Sequence, residues 1–262
     1  MQWKYAALIL CTWCSCSPKL SPTDKEYLRQ AKAYAKIISQ YPVVDSAANT
    51  QFVATTNFNM RKPNYVIIHH TAQGSCEQTI KTFTLKRTEV SAHYVICRDG
   101  TVLHMLNDYL RAWHGGAARW GSITDINSVS IGIELDNNGS EPFAEPLITS
   151  LLDLLARLKQ AYNIPTSNYI GHADIAPTRK NDPSKYFPWE RLAASGYGYW
   201  YSADSVAVPA GFDAVTGLRL IGYDVRNVAA AVKAFKLHYN NTDTTATIGN
   251  KDIQILYKLS KK

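Results

Sequence analysis

The chain has 262 residues, of which 46% are hydrophobic and 19% charged, and it carries a formal net charge of +7. This is the composition of one or two folded domains with a sizeable core, and it excludes a disordered or low-complexity polymer. The positive balance favours an anionic partner such as a lipid surface or a cell-wall polymer; with no basic run denser than Lys258–Lys262, a nucleic-acid partner is not expected.

The N-terminus has Lys4, then an apolar run from Tyr5 to Trp13, then small and polar residues. That run is too short to span a bilayer and has the shape of a secretory signal over residues 1–15. Ser15-Cys16-Ser17-Pro18 resembles a bacterial lipoprotein cleavage site, which would make Cys16 the lipidated first residue. The expectation is an exported protein anchored through that lipid at the periplasmic face of the outer membrane. Cys11 and Cys14 would leave with the signal, so Cys76 and Cys97 remain, either as one disulfide or as two buried thiols.

Residues 16–59 read as a lead-in segment. Within it, Thr23–Gln40 has apolar residues at helical spacing and stops before Tyr41-Pro42. Tyr65–His69 is a short β-prone run that ends in His69-His70. Side chains alternate across a strand, so at most one of the two imidazoles can serve a given site. Ser75–Gln78 fits a capping box opening a helix over about 76–87. Ser91–Ile96 and Thr101–Met105 flank Asp99-Gly100 and read as a hairpin. Arg111–Gly121 contains His114 in a Gly- and Trp-rich stretch suited either to facing a ligand or to a plain surface turn.

Ser128–Leu135 reads as a strand with Ile131 and Ile133 on one face and Glu134 on the other, where a carboxylate could act as a general base or merely meet solvent. Pro146–Tyr162 has leucines at 147, 151, 154, 155 and 158, a core helix with no chemistry of its own. Tyr169–Trp189 carries His172, Lys180 and Asp182 among prolines at 177, 183 and 188, too broken for a regular helix or a sheet-centre strand. His172 and Asp182 suit a zinc-type metal, which normally takes three protein ligands at a catalytic site, so one more ligand is expected, a histidine from the His69-His70 pair. The bland alternative makes both of them turn residues.

Taken together, YVIIHHTA at 65–72, SAHYVICRDGTV at 91–102, AWHGG at 112–116, SVSIGIEL at 128–135 and GHADIAPTRKNDP at 171–183 resemble the zinc amidases that cut N-acetylmuramoyl-L-alanine bonds in peptidoglycan. That superfamily joins phage lysozyme-type amidases, the bacterial AmpD/AmiD type and animal peptidoglycan recognition proteins. The resemblance implies an α/β fold, a central mixed sheet flanked by helices, over residues 60–195. It implies Zn2+ held by His69, His172 and Asp182, with Glu134 and Lys180 catalytic and His93 and His114 meeting the substrate. Some phage members have a tyrosine where this chain has Ala92, so Glu134 is the stronger candidate for proton transfer. Residues 196–203 read as a linker, and 204–262 resemble a small all-α peptidoglycan-binding domain. The chain is then a monomeric N-acetylmuramoyl-L-alanine amidase acting on peptidoglycan or muropeptides. The competing function is a module that binds muropeptide without cutting it.

Overall fold

A computed structural model describes residues 20–39 and 62–262, with isolated positions 55, 57 and 60. The signal segment 1–15 and Cys16 lie outside the described residues. The chain divides into two compact units, 1–58 and 59–262. In the first, the described element is helix α1 (Pro22–Ile38), which opens on a capping box between Ser21 and Asp24 and has no buried residue.

The second unit is built on a five-stranded sheet in the order β3-β2-β4-β1-β5. Its strands are β1 (Tyr65–His70), β2 (Tyr94–Ile96), β3 (Val102–His104), β4 (Ser130–Leu135) and β5 (Tyr169–Gly171). β1 runs parallel to β4 and β5, β4 runs parallel to β2, and only the β2–β3 pair is antiparallel. The mixed sheet is therefore as expected. Its hairpin is shorter than the sequence suggests: the His93 carbonyl accepts from both Met105 and Leu106, which breaks the one-to-one pairing, and the Ser91 N–H turns away to the Trp113 carbonyl. Helix α2 (Cys76–Thr84) likewise ends early, at Leu85, and a single 3₁₀ turn follows. Cys76 and Cys97 are joined as a disulfide.

The pleat sorts the strand residues. Val66, Ile68, Ile131, Ile133 and Leu135 point to one face, where α3 (Glu145–Tyr162) covers them with Leu147, Ile148, Leu151, Leu154, Leu155 and Leu158. Each such side chain contributes roughly 1.5–3 kcal/mol when fully buried. Ile67 and Ile170 point to the other face and join a second core made by helices α6 (Ala214–Ile221), α7 (Val228–Tyr239) and α8 (Asn250–Leu259). The three C-terminal helices match expectation, but 196–203 does not separate two cores. Trp200 packs against both clusters, and Leu218, Phe235 and Leu256 share one apolar cluster with Ile67 of the central sheet. Short helices α4 (His172–Ile175) and α5 (Trp189–Ala194) complete the unit. Among the described residues no helix is long and apolar enough to cross a membrane.

Candidate metal centre

β1, β4 and β5 run parallel, so their carboxyl ends lie along one edge, the usual place for a ligand in such sheets. His69 stands near the end of β1 beside Glu134 of β4, its partner in register. Ile68 pairs with Gly171, which delivers His172 next to His69 as the first residue of α4. The stretch after Ile170 is thus less broken than its prolines suggest: an edge strand runs straight into one helical turn. Asp182 returns to the site because its carbonyl accepts from the Ala173 N–H at 2.8 Å. His70 points to the opposite face, where Nδ1 accepts from the Ser184 N–H at 3.0 Å and pins the chain just beyond Asp182.

His69 Nδ1, His172 Nδ1 and Asp182 Oδ2 converge, at 2.9 Å between the two nitrogens and 3.2 and 3.1 Å from each nitrogen to the oxygen. All three residues are buried, and they form a group that could hold a metal ion. A tetrahedral zinc with ligands at about 2.0–2.1 Å sets its donor atoms about 3.3 Å apart, so the spacing fits.

The surrounding hydrogen bonds fix which atoms carry protons. His172 Nε2 faces the Gly115 carbonyl at 3.2 Å, which can only accept, so Nε2 carries a proton and Nδ1 is the atom turned toward His69 and Asp182. A longer chain settles His69. The Ser130 hydroxyl donates to the Ile126 carbonyl at 2.7 Å, so its oxygen accepts from His114 Nε2–H at 3.2 Å. His114 Nδ1 then accepts from His69 Nε2–H at 3.1 Å, leaving His69 Nδ1 unprotonated. Burial, with His172 as a neighbouring positive group, lowers His69 to about 4, and burial together with His69 holds His114 well below its usual value. His69 is therefore neutral at neutral pH, the form that binds metal, and so is His114 behind it. Two ring nitrogens and a carboxylate oxygen thus face one another at close range, an arrangement that a bound cation suits.

His114, expected to meet substrate, instead stands behind His69 and orients it. Its approach to the sheet requires Gly132, since a Cβ there would come within 2.4 Å of the His114 ring. Asn127 holds the loop in place, its Oδ1 accepting from the N–H groups of His114 at 3.2 Å and Gly115 at 2.8 Å. His93 is also corrected. It is 0% exposed, Nε2 donates to the Leu110 carbonyl at 3.0 Å and Nδ1 accepts from Gly132, so nothing on it is left for a substrate. Sequence reasoning misses Asn127, Ser130 and Gly132; a serine and a glycine on the site-facing side of a buried strand are the available signal.

Glu134 Oε1 lies 3.9 Å from His69 Nδ1. Burial and then the Asp182 charge raise its carboxyl to about 8, with Lys180 pulling the other way. Lys180 is exposed, and it is near enough to act on Glu134, His69 and His70.

Converging donors at the carboxyl ends of parallel strands, with a buried glutamate alongside, have the layout of a hydrolase centre. The N-acetylmuramoyl-L-alanine amidase family, Amidase_2, matches residues 59–185. N-acetylmuramoyl-L-alanine amidase AmiD of Escherichia coli K12 is 32% identical over 209 residues, 68% of this chain and 75% of its own length. The 1,6-anhydro-N-acetylmuramyl-L-alanine amidase AmpD of Haemophilus influenzae is 35% identical over 126 residues, 47% of this chain and 68% of its own. Among solved structures, E. coli AmiD with the substrate anhydro-N-acetylmuramic acid-L-Ala-D-gamma-Glu-L-Lys superposes with a TM-score of 0.70 at 28% identity, covering 79% of this chain and 92% of that one. AmpDh3 of Pseudomonas aeruginosa shares the fold, with a TM-score of 0.70 at 24% identity over 82% of this chain and 98% of that one. The chain belongs to the N-acetylmuramoyl-L-alanine amidase family and hydrolyses the amide between N-acetylmuramic acid and L-alanine.

Proposed function

We propose that His69, His172 and Asp182 hold a Zn2+, that Glu134 and Lys180 carry out the amide hydrolysis beside it, and that the enzyme works in the cell envelope on wall-derived muropeptides. The observation that carries this reading is the inward-facing trio of buried donor atoms at tetrahedral spacing. A zinc in that position supplies Lewis acidity toward the scissile carbonyl and acidifies water.

Glu134 takes one proton from the attacking water as the water oxygen bonds to the carbonyl carbon. It holds that proton in a buried pocket and delivers it to the alanine nitrogen as the C–N bond breaks. The products are a carboxylate on the muramic acid side and a free amine on L-alanine. Glu134 is suited to both halves of this transfer, because burial alone favours its neutral form while a dication nearby would favour its ionised one. Lys180, at the rim, opposes the negative charge that builds on the carbonyl oxygen.

Binding to intact wall is assigned to the C-terminal helices together with the segment before them. What supports this is a groove of about 510 Å³ where the C-terminal segment meets α5, lined by Trp189, Arg191, Trp200, Tyr201, Asn241 and Lys251 among others. Cys16 is assigned as the lipid anchor from its sequence context alone, and Cys16→Ala should then move the protein from the membrane to the soluble fraction.

The test of the enzymatic reading is digestion of purified sacculi and of a soluble anhydro-muropeptide, followed by mass spectrometry. Release of peptides with a free L-alanine amine, its loss on chelation and its return with zinc are the expected results. Cleavage that survives complete removal of metal would overturn the assignment of the three ligands.

A further inference from the structure

We propose that the C-terminal helices take part in the metal centre itself, with Tyr223 and His238 acting through Asp174 as positioning residues for His172. This rests on His172 being a metal ligand. Asp174 is the third residue of α4, and its buried Oδ2 accepts from the Gly171 N–H at 2.7 Å, closing the turn on which His172 is the first residue. The same oxygen accepts from His238 Nδ1–H of α7 at 2.8 Å, and Oδ1 accepts from the Tyr223 hydroxyl at 2.6 Å. Tyr223 follows the last turn of α6.

A carboxylate only 1% exposed is expensive to keep in place without donors, and two of its three donors come from the C-terminal helical segment. Those donors are themselves held firmly. The His238 ring stacks on Trp189 at 3.8 Å and lies nearly parallel to Tyr239 at 4.0 Å, while Tyr223 meets Trp120 edge-on at 5.0 Å. Without them Asp174 gains by turning toward water, which opens the Gly171–Asp174 turn and lets His172 leave its line to Gly115 and the metal. Gly171 sharpens the requirement: a Cβ there would lie 2.9 Å from Pro183 and 3.2 Å from the Asp174 carboxylate, so this turn tolerates little adjustment.

The experiment uses the full chain with three substitutions: Tyr223→Phe, which keeps the ring, His238→Leu, which removes the donor, and His238→Asn, which offers an amide N–H in its place. Zinc affinity is measured by competition with a chromophoric chelator, the Co2+ absorption spectrum reports ligand geometry, and melting is followed with and without metal. Tyr223→Phe and His238→Leu should each weaken zinc binding by about 10–100-fold, the usual effect of removing support from a ligand. Both should alter the Co2+ spectrum, and His238→Asn should recover most of the affinity. Zinc affinity within twofold of wild type in both Tyr223→Phe and His238→Leu would overturn the proposal, even if melting temperatures fall. Should His238→Leu fail to fold, Tyr223→Phe decides alone. A wild-type enzyme that binds zinc and cleaves, beside variants of unchanged affinity, defeats only this inference; a wild type that takes up no zinc defeats the reading of the site along with it.

Discussion

The two faces of the central sheet are made from the same strands and do different things. On one face Val66, Ile68, Ile131, Ile133 and Leu135 join one apolar cluster with the leucines of α3. On the other, the intervening positions are Ile67, His69, Ser130, Gly132 and Glu134, covered by His114, His172 and the C-terminal helices. Parallel strands buried on both sides ordinarily read as unbroken apolar runs. Apart from His70, the departures from that run fall on one face, and the two that carry functional groups into the site, His69 and Glu134, stand toward the carboxyl ends of their strands.

The sharpest way to break the comparison is to exchange neighbours in sequence that stand on opposite faces. His69→Ala removes a donor atom from the centre, so the purified protein should lose its zinc and its activity should fall to that of a metal-free control. His70→Ala should keep about one zinc per chain. Its cost is an unpaired Ser184 N–H and lost packing, about 1–3 kcal/mol of stability. Zinc content by atomic emission, next to thermal melting, checks both; the reverse pattern would move the ligand to His70.

Within the site-bearing face the next effects are on turnover. Glu134→Gln should retain zinc while kcat on a soluble muropeptide falls by roughly 10²–10⁴-fold, the usual worth of general acid–base catalysis. Lys180→Ala should also keep the metal and lose about 10²–10³-fold, as for removal of an oxyanion donor. Loss of zinc from Glu134→Gln would make that side chain part of the ligand set, and a near-normal kcat would leave it a spectator.

A subtler change on the same face is Gly132→Ala. The added methyl would enter the His114 ring, which hands its orientation on to His69. Zinc affinity should drop about 10–100-fold, in line with losing a ligand's outer partner. An unchanged affinity in chelator competition would mean that His69 needs no support from His114.

Legibility in the amino-acid sequence follows the same division. β1, β4 and α3 are legible because their patterns are local: an apolar run, an alternation, leucines at helical spacing. His69, His172 and Asp182 are legible as a set only through resemblance, since nothing local joins residues 69 and 182. His93 and His114 cannot be placed from sequence, because an imidazole behind a ligand and one bonded to backbone look alike there. The bond from Asp174 to His238 spans 64 positions and exists only because the fold brings α7 under α4. An acid three residues after a glycine hints at a capped turn, but it does not say who else binds that acid.

The smallest effect on chemistry is expected on the face without any. Leu155 of α3 is fully buried in the cluster that covers Ile68 and Ile133. Leu155→Ala removes three carbons and leaves a cavity, costing roughly 2–5 kcal/mol depending on how far the helix can settle. His69 and Glu134 point to the opposite face of the strands from that cluster. Zinc affinity and kcat per folded molecule should therefore stay within about twofold of wild type, since sites without shared partners act nearly independently. The measurement is urea unfolding beside zinc titration and kcat at a temperature well below the variant's melting point. If kcat fell by tenfold or more while the protein remained folded, α3 would be transmitting strain through the sheet to His69 and Glu134, and the two faces would have to be treated as one mechanical unit.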